Sequence, residues 1–542
     1  MKKHFLVTLT SVLIVGCAIW VGTRRAEYVM LDRHIDILRQ SLGQGVFLTY
    51  DSARPGLLGR STIFTNVVFR RKNDTITAQQ AELSRPDSDK KISGIIHLSF
   101  HNVQITGIDG NLHAQLLTID NLVLQPHGQT LGQKLGQKQV LSTHLPSIAQ
   151  AHAYGIHGFI KALHAKITAD SITLDHFNGT ITNKLLIKNI LLSVDTGSWR
   201  RFTVNSIHAN GFNIAKLYWS LYHGLPLYNG VPAISYPGQR DVEMHHIEID
   251  GEVTNSSKKT LSSIIPLLRI SHLSSHITLT KTAEQETSNI QRIEIWPATP
   301  WFHWLDPLKY DHIRASLVFS DIYNLKTKHI HIKELNVTAP TIGRIYINGD
   351  ITPPPSASSI STPIESFIDS PISPIISCVS PNVHIVFPDM YIVSTAITYM
   401  DYGLITRALK VLATKSNTTP YHLLATLFVP NISQATLPIP PEEHIDQMTN
   451  TSIDIHALSK LKLGLEKTPI ETTEPQNTYH HTLQKIAEYL IHPVNKSIVI
   501  NIHPTQPFSV KNIIFTLSNK NDNLGKILPQ IIQKTGLTVV NP

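Results

Sequence analysis

Hydrophobic residues are distributed along this chain in two contrasting ways. Phe5 to Gly22 is apolar throughout except at Thr8, Thr10 and Ser11. At about 1.5 Å per residue this run spans roughly 27 Å, enough to cross a hydrocarbon core, and it predicts a transmembrane helix. Ala26 to Leu42, with Val29, Met30, Ile35, Ile37 and Leu38, reads as a further helix that Gly43 and Gly45 stop. From Val46 to about Ile351 the texture changes to short apolar-polar alternations. Ile330 and Ile332 against His329 and His331 are one example, and Ile345 and Ile347 against Tyr346 and Asn348 another. Gly, Asn and Asp turn signals separate them, as they separate half-buried strands. Helical spacing is expected only in short pieces around Leu145 to Ala165 and Ile214 to His223.

One local device recurs among these strands. An apolar residue, any residue, an Asn, then apolar, any and apolar make the alternation slip by one place. It occurs at Asn66 (Phe64, Val67, Phe69), Asn102 (Phe100, Val103, Ile105), Asn121 (Ile119, Leu122, Leu124), Asn189 (Ile187, Ile190, Leu192) and Asn512 (Val510, Ile513, Phe515). Looser versions centre on Ser206, His246 and Glu334. Such a slip keeps one face apolar only where a bulge or turn absorbs the extra residue, which bends the sheet.

Pro353-Pro354-Pro355, Pro363, Pro371 and Pro374 exclude regular helix and central strand from residues 353–381, which read as a linker or extended edge. Beyond it helices and strands mix. Strands are expected at Asn382 to Phe387, Tyr391 to Tyr399, Ile498 to Ile502 and Phe508 to Leu517. Helices are expected at Gly403 to Ala413, with Asp401 as the N-terminal cap, from Thr419-Pro420 to Phe428, at Tyr479 to Ile491 and at Leu524 to Lys534. The expected fold is mainly β: an N-terminal transmembrane helix (1–25), a helix leading to the body (26–45), an elongated, curved antiparallel β-sheet body (46–352), the linker (353–381) and a small α+β C-terminal domain (382–542).

Composition narrows the functional classes. Hydrophobic residues at 42% against charged residues at 16% argue against wholesale disorder. The net charge is +8, but Lys and Arg are dispersed and form no dense basic tract with interleaved aromatics, so nucleic acid is not expected as a partner. A mildly basic surface suits anionic lipid. The 29 histidines would carry the charge from +8 to 8 + 29 = +37 if all were protonated. The pairs His245 and His246, His329 and His331, and His480 and His481 have no Cys or carboxylate at a recognised ligand spacing, so solvated surface is the expected role and no metal is assigned. Cys17 and Cys378 define no disulfide framework. Ile14-Val15-Gly16-Cys17 has the shape of a lipobox, so Cys17 is a possible lipidation site. The apolar Ala18-Ile19-Trp20-Val21 that follows favours an uncleaved anchor over a lipoprotein, and no small-x-small site stands cleanly before Thr23 for a cleaved signal peptide.

Phosphate loops, a G-x-G-x-x-G after a strand, a G-x-S-x-G elbow, H-E-x-x-H and C-x-x-C are all absent from the sequence, so neither catalytic residues nor cofactors are expected. Trp296, Trp301, Phe302 and Trp304, among Pro297, Pro300 and Pro307, are candidate membrane-interface or ligand aromatics; a packed loop or strand corner is the plainer reading.

The apolar anchor, Ser41-Leu42-Gly43-Gln44-Gly45-Val46, Ser61 to Phe69 (STIFTNVVF) and Thr77 to Leu83 (TAQQAEL) together resemble the start of AsmA-like bacterial envelope proteins. The resemblance covers about the first 350 residues. It implies one inner-membrane helix followed by a curled sheet whose concave apolar face holds lipid acyl chains. Ala396 to Leu409, with Thr398 to Leu404 (TYMDYGL), and Gly536 to Val540 are similar to uncharacterised alphaproteobacterial envelope proteins. The Pro-rich interruption and the mixed C-terminal domain depart from the AsmA-like pattern. The expectation is a non-enzymatic, single-pass inner-membrane protein with its bulk in the periplasm. Membrane lipid is the expected partner, and envelope biogenesis or maintenance the role. The alternative is a scaffold that binds envelope proteins through its β surface and C-terminal domain.

Overall fold

The computed structural model describes residues 46–56, 61–71, 74–84, 94–107, 110–123, 147–161, 164–179, 181–195, 199–213, 238–253, 263–297, 306–327, 329–352, 391–420, 422–424, 474–509 and 535–541, with single positions 31, 35 and 532. They are mainly β and the strands pair antiparallel, as the alternation predicts. Among the described residues no helix is long and apolar enough to cross a membrane. The expected anchor, Cys17 and the 353–381 linker lie outside them. The chain divides into two units, the first within 1–227 and 240–249, the second within 228–239, 250–360 and 370–542.

In the first unit β1 (Val46–Thr49) and β2 (Ser52–Pro55) both pair with β3 (Ser61–Arg71). The ladder continues through β4 (Asp74–Ser84), β5 (Gly94–Gly107), β6 (Gly110–Val123), β7 (Ile148–Ile160), β8 (Ala165–Phe177), β9 (Ile181–Val194) and β10 (Arg201–Asn210). The short β11 (Phe212–Asn213) extends β10 along β9. Residues 240–249 of β12 (Gly238–Val253) are grouped with this unit.

The alternation slip is real, but its mechanism differs from the expected bulge. On β3 the buried apolar residues Phe64 and Val67 are three apart, and so are their partners Ala81 and Ala78 on β4. Phe100 and Val103 on β5 and Leu117 and Ala114 on β6 repeat the interval. The pairing register is unchanged across it: Thr65 faces Gln80 and Val67 faces Ala78. Both partners therefore slip together, and no strand carries a residue its neighbour lacks. The result is a seam running from β3 to β10. Every second strand supplies a residue with positive φ, namely Asn66 (48°), Asn102 (49°), Gly155 (58°) and Asn189 (52°). Asn is the L-residue that tolerates this region best, because its short polar side chain bonds locally. Asn66 Nδ2 donates to Asp51 Oδ2 at 2.7 Å, Asn102 Nδ2 to Gln79 Oε1 at 2.7 Å and Asn189 Nδ2 to Asp170 Oδ2 at 2.6 Å. At Gly155 a Cβ would come within 2.5 Å of the Gln115 side chain.

A second seam runs parallel, displaced from Gln115 to Asn121 on β6 and from Asp170 to His176 on β8. Its positive-φ residues are Asn121 (50°), His176 (50°) and Gly211 (62°), so it uses the alternate set of strands. Ser206 lies in the first seam, between Val204 and Ile207, with ordinary φ, because β9 supplies the kink at that point. Asn512 lies outside the described residues. The slip also explains a correction: Ile148–Ile160, inside the stretch expected to hold a short helix, is β7. Its seam separates Ala153 from Ile156 by three residues, which imitates helical spacing.

The second unit solves the same problem in two ways. β13 (Ser263–Leu279), β14 (Ala283–Ile295), β15 (Ile313–Asn324), β16 (Ile330–Ala339), β17 (Gly343–Thr352) and β18 (Tyr391–Asp401) pair in order. Between β13 and β14 the register is unchanged, with Ile270 and Leu273 opposite Ile293 and Ile290 and Arg292 at φ 49°, as in the first unit, whereas from β14 onward it shifts, between Ile290 and Ile293, Ser320 and Asp321, Ile332 and Leu335, and Asp350 and Ile351. These are one-residue irregularities of the expected kind, and Glu334 stands beside one of them. β18, from the expected C-terminal domain, is hydrogen-bonded to β17, from the expected body. β19 (Ser497–Ile502), β20 (Phe508–Ser509) and β21 (Thr538–Val540) complete the ladder. Among the helices are α1 (Leu404–Lys415) and α2 (Glu474–Ile491), and residues 420 and 422–424, inside the helix expected from Thr419-Pro420, are helical too. The N-cap of α1 is Gly403, at φ 133°, rather than the expected Asp401, which lies two residues earlier and reaches forward: its fully buried carboxylate accepts the N–H groups of Gly403 at 2.9 Å and Ile405 at 3.0 Å, and the Tyr399 hydroxyl at 2.8 Å. Burial first, and then this carboxylate, push the Tyr399 phenol far above its ordinary pKa.

The seam makes a direct prediction. Asn102→Val, which places a β-branched residue at φ 49° and removes the bond to Gln79, should cost about 1–2 kcal/mol. Asn102→Gly should stay within about 1 kcal/mol of the wild type. Urea unfolding midpoints of the two variants provide the measurement.

Candidate functional site

Paired slipping aligns core-facing residues into rows that cross the first unit perpendicular to its strands. One row is Phe64, Ala81, Phe100, Leu117, Ala153, Ile172, Ile187 and Ile207, each directly opposite the next from β3 to β10. On one side of it lies Leu83, Leu98, Ile119, Ala151, Leu174, Leu185 and Ala209, with Thr62 on β3. Across the first seam are Val67, Ala78, Val103, Ala114, Ile156, Ala169, Ile190 and Val204. Past these come Phe69, Ile76, Ile105, Leu112, Gly158, Ile167, Leu192 and Phe202. Gly158 is required because a Cβ would come 2.2 Å from the Asn111 carbonyl oxygen. Eight strands at about 4.8 Å spacing, and seven steps of about 3.3 Å from Thr62 to Phe69, make an apolar face of roughly 34 by 23 Å.

Burial is uneven over this face. Phe64, Val67, Ala81 and Val103 are almost completely covered, and Leu31 and Ile35, one helical turn apart, are buried in the same cluster. Leu117, Ala153, Ile172 and Ile187 are only partly buried. Ile105 and Leu112, directly opposite each other, are 39% and 38% exposed and form an open apolar lip. The opposite face is polar. His97 Nδ1 lies 2.6 Å from Asp120, Gln150 donates to Asp175 at 3.1 Å, and His152 Nδ1 lies 3.0 Å from the Thr173 hydroxyl. His113 and His157 stand opposite each other there with ring centroids 4.4 Å apart.

In the second unit the buried positions are less uniformly apolar. Glu284, Glu286 and Ser288 on β14 and Asp321 on β15 are all buried, with Glu286 opposite Asp321. Ser288 Oγ donates to Glu286 Oε1 at 2.8 Å. Burying carboxylates is costly unless they are compensated, and hydrocarbon supplies no compensation.

Of the four candidate aromatics, Trp296 is described and Trp301, Phe302 and Trp304 lie outside the described residues. Trp296 is half-buried, stacked on His312 at 6.0 Å, with the Arg269 guanidinium 6.0 Å over its ring and its backbone N–H bonded to the Leu267 carbonyl. It therefore sits in a packed strand corner. His245 is half-buried, 4.0 Å from Glu243, while His246 is exposed at φ 51°. The side chains of His480 and His481 lie outside the described residues. His329 and His331 are brought to a carboxylate the sequence did not pair with them. Asp350 Oδ1 lies 2.8 Å from His331 Nδ1 and 3.7 Å from His329 Nε2, and Asp350 Oδ2 accepts the Ser394 hydroxyl at 3.0 Å. Serine and imidazole both bind the acid rather than each other, so the serine-to-imidazole contact that activates a nucleophile is missing from this group.

No family model matches this chain, and no curated protein matches it. Among solved structures, P47 of Clostridium botulinum E1 aligns over 58% of this chain and 80% of its own, with 9% identity and a TM-score of 0.10. A likeness at that level carries no argument about fold or function.

The Asp350 cluster has a defined pH signature. Partial burial pushes its carboxyl upward, but hydrogen bonds from His331 and Ser394 and the charges of His331 and His329 outweigh this and hold it below its ordinary value. A carboxyl depressed by folding contributes stability that is present above its unfolded pKa, about 3.9, and is lost as pH falls through the folded value. Asp350→Asn should therefore be less stable than the wild type at pH 5, with the difference shrinking below about pH 4. Denaturant midpoints at both pH values test the sign.

Proposed function

We propose that this is a non-enzymatic, membrane-anchored envelope protein whose first unit holds lipid acyl chains on its apolar face. In this reading Phe5 to Gly22 holds the chain in the bacterial inner membrane and the β-rich bulk stands in the periplasm, serving envelope biogenesis or maintenance. The observation that carries the proposal is the set of apolar rows crossing β3 to β10 without a charged residue. An acyl chain filling one leaflet spans about 15 Å, half of a hydrocarbon core, so the roughly 34 Å face accommodates it along or across the rows. The half-exposed lip of Ile105 and Leu112 supplies a place for apolar groups to enter. The buried carboxylates of β14 and β15 make the second unit the poorer host for hydrocarbon, which favours the first.

Full-length protein purified from a membrane fraction, exchanged into lipid-free detergent and extracted for lipid mass spectrometry should retain lipid. Ile105→Glu and Leu112→Glu together should reduce the retained lipid several-fold without lowering the unfolding midpoint, because both positions are already half-exposed. Equal lipid in variant and wild type, with a protein partner retained by both, would instead favour the scaffold reading.

A further inference from the structure

We propose that the apolar face of the first unit selects an anionic phospholipid, whose headgroup is held by Lys161, Lys166 and Arg201 at one end of the strands. The inference rests on the acyl-chain reading above and names the class of lipid. Antiparallel pairing brings the end of β3 and the starts of β8 and β10 to the same end of the sheet, where Arg70, Lys166 and Arg201 share one row. That row lies one residue beyond the row of Phe69, Ile167 and Phe202, which also holds the open lip of Ile105 and Leu112. Lys161 directly follows β7. A Cβ on Gly110 would stand 3.2 Å from the Lys161 backbone nitrogen, so Lys161 adjoins the start of β6, two residues before Leu112. Cations and exposed hydrocarbon therefore meet at one edge.

Charge separates between the two ends of this unit. Among the described residues the lip end carries Arg70, Lys161, Lys166, Arg200 and Arg201 against Asp74 and Asp195. Arg70, Lys161, Lys166 and Arg201 are exposed, and none has an ion-pair partner among the described residues. The other end carries Glu82, Asp120 and Asp175 with Arg54 and Lys184, and its acids are engaged. Glu82 accepts the Ser61 hydroxyl at 2.6 Å, Asp120 lies 2.6 Å from His97 Nδ1, and Asp175 accepts Gln150 at 3.1 Å. Uncompensated positive charge is complementary to a headgroup of net negative charge, whereas a zwitterionic headgroup brings its own ammonium and gains less. Lys166 and Arg201 stand on strands about 10 Å apart, and Lys161 stands beside the start of β8. Their long stems can lie along apolar surface with the charged heads in water. An acyl chain of about 15 Å running inward from the lip stays within the roughly 23 Å width of the face.

The test is competitive lipid loading of full-length protein in detergent, from an equimolar mixture of phosphatidylglycerol and phosphatidylethanolamine with identical acyl chains, followed by repurification and lipid mass spectrometry. The wild type should retain the anionic lipid over the zwitterionic one by about fivefold or more, and the preference should shrink as salt is raised. Lys161→Gln, Lys166→Gln and Arg201→Gln combined should bring the ratio close to one while lipid is still retained, because the apolar rows are untouched. Lys184→Gln with Lys188→Gln, which removes exposed positive charge elsewhere on the same unit, should leave the ratio unchanged. A wild type that retains both lipids equally would overturn the headgroup proposal and leave the acyl-chain reading standing, whereas one that retains neither would overturn both. An unchanged ratio in the triple variant, or an equal loss of preference in the Lys184 and Lys188 variant, would place the selection outside this site and overturn it. Displacement of the lipid by acyl-free glycerol phosphate at the same concentration would reveal a phosphate site that needs no apolar face, and would also overturn it. All five substituted positions are exposed, and unfolding midpoints establish that the variants fold.

Discussion

Side chains along a β-strand point alternately to its two faces, so a single odd step sends every later residue to the wrong side. The first unit depends on how this constraint is met. Each strand from β3 to β10 takes the odd step at the same level, leaving register intact and the apolar rows straight. The device is collective, because a slip in one strand alone would leave its apolar residues facing water beyond the seam. The backbone cost falls on every second strand, where Asn or Gly takes positive φ, and the strands between furnish acceptors such as Gln79 and Asp170. Each such hydrogen bond contributes about 1 kcal/mol, comparable with the cost of the left-handed conformation it accompanies.

The second unit keeps the paired slip only between β13 and β14, and from β14 onward meets the same constraint one strand pair at a time, by register shifts that differ from pair to pair. That freedom accompanies a more polar interior. Glu286 and Asp321 face each other in buried positions, and Asp401 organises the start of α1 through two backbone N–H groups and the Tyr399 hydroxyl. Arg407, one turn along that helix, lies over the Tyr310 ring at 4.4 Å. Polar groups in such places favour one arrangement over others, because each misplaced partner would leave a buried charge or donor unmatched. The apolar face of the first unit has no such directional preference.

Much of the strand content was legible because a half-buried antiparallel strand writes its period into the sequence. The Asn device was legible too: Asn66, Asn102, Asn121 and Asn189 all have positive φ, as does His246. Three seam positions escaped notice. Gly155 and Gly211 are not Asn, and the histidine at 176 carries no local signal for left-handed backbone. β7 read as helical for the same reason that the seam works, since core residues three apart fit either period. Asp401 was recognisable as a partner of the start of α1, although the N-cap itself is Gly403, because its role involves only near neighbours, whereas Asp350 was not recognisable as the partner of His329 and His331, being nineteen residues from His331.

By itself the sequence determined the class of structure, the places where alternation slips and the short-range contacts, all of which depend on residues a few positions apart. Tertiary structure decided whether neighbouring strands slip together or singly, and hence whether the apolar residues form continuous rows. It also decided which carboxylate meets which histidine. These outcomes are set by strand register, a property of pairs of segments that no single stretch of sequence contains.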